Sequence, residues 1–191
     1  MKYRIIPSVE FKTVPWKNGK GVTKELLVKY EQGRNEFIFR LSMAGVTENG
    51  PFSHFSGYDR VLMMIEGNGI TLQHSDGKVN DIKNSADMAV FSGDLKTEAV
   101  LKDGPIKDFN VITLRGVCRS EVLAIKGETV FAENVGELFV LCCGDAVIVE
   151  SAERKVTVEH YHLLHITEIV SGAIRITGDA IAVKIIFNKE K

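Results

Sequence analysis

Residues 60–73 have the sequence RVLMMIE-GNG-ITLQ. Two apolar runs flank a turn made of Gly67, Asn68 and Gly69, and these residue types supply the positive φ angles that a tight β-hairpin needs. Elsewhere, short runs with apolar residues at every second position alternate with clusters of Gly, Asn and Asp. The sequence has no long helical stripe. Together these patterns predict an all-β fold.

The strand-turn-strand pattern of this hairpin occurs a second time, in the C-terminal half of the chain. Residues 137–143, a turn at Gly144 and Asp145, and residues 146–150 follow the same order of features. We interpret this echo as an internal duplication that no longer shows as sequence identity. Because closed or double-sheet packing hides the edges of so many strands, the predicted fold is a pair of β-barrels.

The duplication predicts two stacked jelly-roll-like barrels. An N-terminal barrel with the candidate pocket is assigned to residues 1–115, and a degenerate C-terminal barrel to residues 116–191. The chain has 191 residues, of which 45% are hydrophobic, and this is enough apolar material for one sizeable domain or two small fused ones. We therefore expect the two barrels to form one compact unit.

Charge and cysteine content narrow the classes of partner. The chain has 24 Lys and Arg against 25 Asp and Glu, so no bulk charge favours nucleic acid or an anionic membrane. Three cysteines, two of them adjacent at Cys142 and Cys143, fit reduced thiols better than disulfides.

The N-terminus lacks the apolar core of a signal peptide, and no stretch of about twenty apolar residues occurs. A cytoplasmic location is expected, and a homodimer is one assembly that the sequence allows.

Arg40 is the first candidate site residue. Alternation places Arg40 and Ser42 on one face of a strand and Phe39 and Leu41 on the other, which is the core face. Arg40 then points either to solvent or into a barrel, where a guanidinium needs a carboxylate or an anionic ligand.

A rigid loop precedes Arg60. Turn residues at 50–51 and 56–57 bracket Phe52 and Ser53, and the loop is expected at a barrel mouth. Arg60 is the best candidate for binding a carboxylate or a formyl oxygen, because its planar fork allows bidentate geometry. The structural alternative is an ion pair with Asp59, Asp108 or Glu25.

Asp108 and Asn110 share one face of another strand, so that a carboxylate and an amide project side by side. Such groups orient an arginine or bind a ligand directly, and the orienting role fits Asp108 better. Trp16 and Asn18 lie on a Gly-rich loop before Glu25, where glycines allow the backbone to approach a ligand. The same glycines are equally compatible with a simple turn, and Trp16 with a cap on the core.

A metal site is not predicted. Alternation places His160 and His162 on one face, but nothing nearby completes the donor set of a metal-binding cupin. Structural or surface histidines are therefore favoured, and no cofactor is expected.

Several segments together resemble the HutD/Ves family. They are WKNGKGVTKE at 16–25, FRLSMA at 39–44, GPFSHFSGYDR at 50–60, FSGD at 91–94 and DFN at 108–110. The resemblance covers roughly the first 115 residues well, and Lys20 and Ser56 depart from the usual pattern. It implies a cupin-type double barrel, that is, a double-stranded β-helix of the bicupin type with cupin-like barrels at residues 1–115 and 116–191. It implies no established reaction, and one branch of the family is linked to histidine utilisation and the other to cold or stress.

For Arg40, the resemblance favours a position in a ligand pocket over a position in solvent. The leading hypothesis is a non-catalytic protein that binds a small anionic or amide-bearing metabolite, such as a formyl- or formimino-glutamate, and thereby regulates histidine utilisation or a stress response. The alternatives are a metal-dependent cupin enzyme, an isomerase or a dioxygenase, and a stress-linked interaction protein with an empty barrel. The predicted ligand-binding residues are Trp16, Asn18, Glu25, Arg40, Ser42, Phe52, Ser53, Arg60, Asp108 and Asn110.

Overall fold

The computed structural model of the chain describes residues 1–16, 21–31, 33, 36–85, 87–131, 137–168 and 172–188. Within these residues, the regular structure is β-strand apart from one short 3-10 helix at Ser8–Glu10, which confirms the all-β prediction. None of their helices is long and apolar enough to cross a membrane. The strands, in chain order, are β1 (Lys2–Ile6), β2 (Lys12–Pro15), β3 (Val22–Tyr30), β4 (Phe37–Val46), β5 (Gly50–Pro51), β6 (Tyr58–Glu66), β7 (Ile70–His74), β8 (Val79–Ile82), β9 (Met88–Ser92), β10 (Thr97–Leu101), β11 (Ile106–Leu114), β12 (Cys118–Ile125), β13 (Glu128–Phe131), β14 (Glu137–Cys142), β15 (Ala146–Glu150), β16 (Lys155–Glu159), β17 (Leu163–Glu168), β18 (Ile174–Thr177) and β19 (Ala180–Phe187).

The chain divides into two compact units. One consists of residues 12–118, which we call the N-unit, and the other of residues 1–11 and 119–191, which we call the C-unit. The first strand belongs to the C-unit because β1 pairs antiparallel with β17. The first eleven residues, which the sequence assigned to the N-terminal barrel at 1–115, thus lie in the C-unit. The assignment of barrels to the two parts of the chain stays a prediction.

The N-unit contains a six-stranded sheet, in the order β2-β3-β4-β11-β6-β9, and a four-stranded sheet, in the order β5-β10-β7-β8. Neighbouring strands are antiparallel in both sheets. The predicted strands around the turn at Gly67 are present as β6 and β7, but the prediction that they form a hydrogen-bonded hairpin was wrong, because they belong to different sheets. A Cβ at Gly67 would lie 2.8 Å from the Pro105 carbonyl oxygen, so this glycine allows the chain to cross tightly from one sheet to the other.

Burial of apolar side chains explains why β6 and β7 separate. Leu62 and Met64 of β6 and Ile70 and Leu72 of β7 are all buried and belong to one hydrophobic cluster. β7 alternates, so that Ile70 and Leu72 share its buried face, whereas β6 is buried on both faces. Placing the two strands in different sheets turns one apolar face of each towards the same core. Burial of these side chains in one core favours the arrangement in two sheets.

The C-unit contains a five-stranded sheet, in the order β1-β17-β14-β19-β12, and a four-stranded sheet, in the order β13-β18-β15-β16. Its core cluster consists of apolar residues such as Leu138, Val140 and Ile176. The order β12-β19-β14-β17 corresponds to β4-β11-β6-β9 of the N-unit, each strand lying eight places later in the chain, and the smaller sheets correspond in the same way. A duplicated barrel predicts that the two units have the same order of strands, and this match supports the bicupin interpretation.

Candidate functional site

A polar-lined cavity lies in the N-unit, among β4, β6, β11 and the loop of residues 52–57. Its volume is about 100 Å³. We call it the inner cavity. Its lining residues are Trp16, Thr23, Arg40, Ser42, Ala44, Val46, Pro51, Phe52, Ser53, Phe55, Arg60, Asp108 and Asn110.

Strand register explains why the polar side chains converge. In the six-stranded sheet, Ile112 of β11 lies opposite Arg40 of β4 on one side and Arg60 of β6 on the other. Two residues earlier on β11, Asn110 lies opposite Ser42. Residues directly opposite each other on neighbouring strands point to the same face, and so do residues two apart on one strand. Both guanidinium groups and the amide therefore reach the same side of the sheet.

Three polar side chains form a hydrogen-bonded chain in this cavity. Arg60 Nη2 donates to Asn110 Oδ1 at 2.8 Å, and Asn110 Nδ2 donates to the Asp108 carboxyl group at 2.6 Å. Arg60 Nη1 also donates to the Ser53 carbonyl oxygen at 3.1 Å. The cation and the carboxyl group fix the orientation of the amide between them. Arg60 is thus held by both the sheet and the loop.

Burial changes the acidity of both ends of this chain. Asp108 is 1% exposed, and burial raises the pKa of its carboxyl group to about 7 against the opposing effect of the Arg60 charge. Burial also lowers the pKa of Arg60 to about 10. At neutral pH Arg60 keeps its proton, whereas Asp108 is divided between its neutral and charged forms. The positive charge of Arg60 is therefore only partly compensated.

Arg40 has weaker contacts with the protein than Arg60. Its Nη1 lies 3.7 Å from the Glu25 carboxylate, which is longer than a hydrogen bond. Burial lowers the pKa of Arg40, and the charge of Glu25 acts in the opposite direction. The Nε atoms of Arg40 and Arg60 are buried and have no hydrogen-bond partner in the described part of the chain. Because buried donors are almost always paired in proteins, the two unpaired Nε–H groups are exceptions that call for an explanation.

Aromatic rings enclose the two guanidinium groups. The guanidinium carbons of Arg40 and Arg60 lie 4.8 Å and 5.3 Å from the centroid of the Phe55 ring. Arg60 also lies 4.9 Å from the Phe91 ring and 5.6 Å from the Phe52 ring. Ring faces attract cations but offer weak hydrogen-bond acceptors. The rings therefore stabilise the charges without acting as strong hydrogen-bond acceptors for the N–H groups.

The loop of residues 52–57 is anchored to the turn that follows β9. The Asp94 carboxylate accepts a hydrogen bond from the Gly57 N–H at 2.8 Å, and this bond is the largest cause of its lowered pKa. The Phe55 N–H donates to the Gly93 carbonyl oxygen at 2.9 Å. A Cβ at Gly93 would lie 2.3 Å from the Phe55 carbonyl oxygen, so only glycine fits there. These contacts hold the Phe55 ring in place.

Most of the predicted site residues line the inner cavity. Glu25 lies behind Arg40 as its ion-pair partner rather than on the cavity wall. Asn18 lies outside the described residues. The predicted residues that line the cavity are Trp16, Arg40, Ser42, Phe52, Ser53, Arg60, Asp108 and Asn110.

Two features of the site were missed by sequence reasoning. Phe55 contacts both guanidinium groups, although nothing in the loop sequence distinguishes it from Phe52. The ion-pair partners expected for Arg60 are arranged differently, since Asp59 pairs with Arg115 and Glu25 with Arg40. These pairings depend on which strands and turns the fold brings together.

The C-terminal histidines do not form the arrangement that alternation suggested. Residues 160–162 form a turn between β16 and β17, and Tyr161 has a positive φ of 55°, so alternation does not apply there. A ring nitrogen of His160 donates to the Gly144 carbonyl oxygen at 2.7 Å. In the described part of the chain, no group of three His, Cys, Asp or Glu side chains has the geometry to hold a metal ion.

The fold and cavity define an all-β protein with a cupin-like architecture. YhhW from Escherichia coli has the same fold, with a TM-score of 0.66 over 96% of this chain and 98% of its own, at 8% sequence identity. HutD from Pseudomonas fluorescens SBW25 is more similar, with a TM-score of 0.87, 27% identity, and coverage of 98% of this chain and all of that one.

The sequence matches the HutD family over residues 8–183, and the chain therefore belongs to that family. An uncharacterised 21.2 kDa protein from the hutC 3′ region of Pseudomonas putida is 29% identical over 80% of each chain. The protein Ves of Escherichia fergusonii is 33% identical over 66% of each chain. The predicted HutD/Ves relationship is confirmed.

Proposed function

We propose that the inner cavity binds a small anionic or amide-bearing metabolite and that the protein catalyses no reaction on it. The observation that supports this most directly is the pair of buried Nε–H donors of Arg40 and Arg60, which lie against the same Phe55 ring and lack an acceptor in the described residues. A carboxylate is among the strongest partners of a guanidinium, because it accepts two parallel hydrogen bonds, and a formyl oxygen is a weaker, neutral acceptor.

The two arginines have different roles in this proposal. The terminal nitrogens of Arg60 already donate to Ser53 and Asn110, so Arg60 contributes its charge and its Nε–H. Among the described residues, the ion-pair partner of Arg40 is Glu25 at 3.7 Å, which leaves its terminal nitrogens without a close acceptor there. Arg40 therefore makes the principal contact, whereas the sequence had favoured Arg60.

For the ligand we propose a formyl- or formimino-glutamate-like metabolite, and for the role the regulation of histidine utilisation or of a stress response. The P. putida relative is described by its position beside hutC, and the P. fluorescens relative is named HutD and was solved in a formate condition. A cytoplasmic location and a homodimer belong to the same proposal. Cell fractionation and size-exclusion chromatography check them.

Calorimetric titration of the full chain with formate, formylglutamate and formiminoglutamate tests the proposal. We expect saturable binding of at least one of them, and a loss of at least about tenfold in affinity for Arg40→Ala, since a charge-assisted hydrogen bond contributes roughly 1.5–3 kcal/mol. Arg119→Ala is the matched control, because Arg119 is exposed and pairs with Glu121 on its own strand. No heat with any of the three ligands, together with an unchanged Tm, would contradict the proposal.

A further inference from the structure

Four consecutive residues of the loop at 52–57 form hydrogen bonds with the turn at Gly93 and Asp94. Two of these bonds reach one oxygen of a single carboxylate, since Asp94 Oδ1 lies 2.8 Å from the Gly57 N–H and 3.2 Å from the Ser56 hydroxyl. The conformation of the loop therefore depends on the position of this turn. The four loop residues are His54, Phe55, Ser56 and Gly57.

The other oxygen of the Asp94 carboxylate is held by Arg115. Asp94 Oδ2 accepts hydrogen bonds from Arg115 Nη1 at 2.8 Å and from the Ser92 hydroxyl at 2.8 Å. The same guanidinium donates to the Asp59 carboxylate through Nε at 3.0 Å and Nη2 at 2.8 Å, and Nη2 also donates to the Tyr58 carbonyl oxygen at 3.1 Å. A guanidinium binds several acceptors at once because its five N–H groups point in fixed directions. Arg115 thus joins the end of β11 to β6 and to the end of β9.

The loop carries two groups that contact the arginines of the inner cavity. The Ser53 carbonyl oxygen accepts a hydrogen bond from Arg60, and the Phe55 ring lies against both guanidinium groups. Asp94 and Arg115 themselves are exposed and do not line the cavity. An effect of these two residues on an anion in the cavity therefore passes either through the loop or through the electric field of their charges.

We propose that Asp94 and Arg115 are positioning residues of the anion site. Arg115 orients the Asp94 carboxylate, and this carboxylate holds the loop at 52–57 in the conformation that fixes Arg60 and Phe55. A loop that is already ordered costs less free energy when the ligand binds, so the affinity is higher. The inference rests on the proposed anion-binding function and adds how the affinity of that site is set.

Replacement of Asp94 separates positioning from a field effect, because the two predict changes of opposite sign. Asp94→Ala removes a negative charge, which by its field alone would raise the affinity for an anion. Positioning instead predicts that the affinity falls by about three- to tenfold, which is the cost of ordering one side chain on binding. Calorimetric titration of the full chain with formate, formylglutamate and formiminoglutamate measures the change.

Asp87→Ala is the matched control for this variant. Asp87 accepts hydrogen bonds from the Lys83 and Asn84 N–H groups in the turn before β9, as Asp94 accepts one from Gly57 in the turn after it. Asp87→Ala removes the same charge and should leave the affinity unchanged or slightly raised.

Arg115→Lys tests the same inference without a change of charge. An ammonium does not hold Asp59 and Asp94 in the fixed geometry of a guanidinium, so the affinity should fall by about two- to threefold as the loop loses order. Arg119→Lys, at an exposed pair with Glu121, is the control and should keep the wild-type affinity. In an Asp94→Ala background Arg115→Lys should cause no further loss, because Arg115 acts through Asp94, whereas a general loss of stability would give additive losses.

The outcomes separate the two proposals. If none of the three ligands binds the wild-type protein, the anion-binding function itself fails. If the wild-type protein binds one of them and Asp94→Ala binds it equally or more tightly, the anion-binding function stands and the positioning inference is overturned. If Asp94→Ala does not fold, Arg115→Lys decides, since an affinity equal to that of Arg119→Lys overturns the inference and a lower one supports it. Additive losses in the double variant would overturn the route through Asp94.

Discussion

The two units share an order of strands but bury different kinds of residue. Among the described residues, every buried polar or charged side chain belongs to the N-unit, and the buried side chains of the C-unit are apolar. The buried polar residues are Ser42, Arg60, His74, Thr97, Asp108, Asn110 and Thr113. The same strand order therefore accommodates buried polar side chains beside an apolar core in one unit and an apolar interior in the other.

The contrast is clearest on two pairs of corresponding strands. β11 directs Asp108 and Asn110 into its unit, whereas the core-facing residues of β19 include Ala180 and Ala182. β6 contributes Arg60 to the cavity, and β14 contributes only apolar residues to its core cluster. Buried charged groups stabilise a fold weakly compared with well-packed apolar residues. Because the C-unit folds without such groups, we infer that the polar set of the N-unit serves binding rather than stability.

Replacing the polar set with apolar residues of similar volume tests this inference most severely. In the triple variant Arg60→Met, Asp108→Leu and Asn110→Leu, anion binding should fall by more than about 100-fold, because the cation and its orienting groups are gone. The free energy of unfolding should stay the same or rise by about 1–4 kcal/mol, as expected when a buried ionic group is replaced by packed apolar side chains. Calorimetry and denaturant unfolding measure the two effects. A triple variant that does not fold would show that the polar residues are structural.

Removing Arg60 alone should have the opposite effect on stability. Arg60→Met leaves Asp108 buried without its cation and Asn110 without its donor, so the free energy of unfolding should fall by about 3 kcal/mol at pH 8. Denaturant unfolding beside the triple variant measures the difference. Arg119→Met, at an exposed site, is the control and should change stability by less than about 0.5 kcal/mol. Equal stability of the single and triple variants would indicate that Asp108 and Arg60 do not interact.

The sequence was sufficient for the strands and for the faces of β4 and β11. Alternation alone placed Arg40 beside Ser42 and Asp108 beside Asn110, and the structure has both pairs on one cavity wall. Periodicity is a local property, and it survives in the folded chain because each strand has one apolar face.

The sequence did not reveal which strands pair or which arginine keeps free donors. β6 and β7 are separated by three residues and still belong to different sheets, because their apolar faces meet across a core. Arg40 and Arg60 have the same side chain and differ only in the neighbours that β3 and β11 bring to them. Contacts between residues far apart in the chain decide the pairing of strands and the neighbours of each arginine. Local sequence patterns do not predict such contacts.

A pH titration sharpens the comparison of the two units, because it reports on Asp108, the buried carboxyl group of the N-unit. The pKa of its carboxyl group is about 7 in the folded protein and has a reference value of 3.8, so between these values the native state holds more protons than the unfolded state. The free energy of unfolding should therefore decrease as the pH rises from about 4 to 7, by up to about 1.4 kcal/mol per pH unit. Anion affinity should also fall above pH 7, by up to about tenfold per unit, because the charged carboxylate repels the ligand.

Asp108→Asn is the variant that checks this assignment. It keeps the shape of the side chain but does not titrate, so both pH slopes should become shallower. Denaturant unfolding and calorimetry at several pH values measure the slopes. Unchanged slopes in the variant would assign the pH dependence to another group.

The smallest expected effect concerns Glu25. This residue partly compensates the positive charge of the arginines that line the inner cavity of the N-unit. Its carboxylate lies 3.7 Å from Arg40 and does not line the inner cavity, so it lowers the local positive potential without fixing Arg40 by a hydrogen bond. Glu25→Gln should raise anion affinity by about two- to threefold at low salt, which corresponds to the roughly 0.5 kcal/mol of a partly exposed ion pair, and the gain should shrink as salt is added. Calorimetric titration with formate at two ionic strengths measures the change, with Glu121→Gln in the C-unit as the control. If the affinity falls instead, Glu25 positions Arg40 for the ligand, and the carboxylate belongs to the binding machinery of the N-unit.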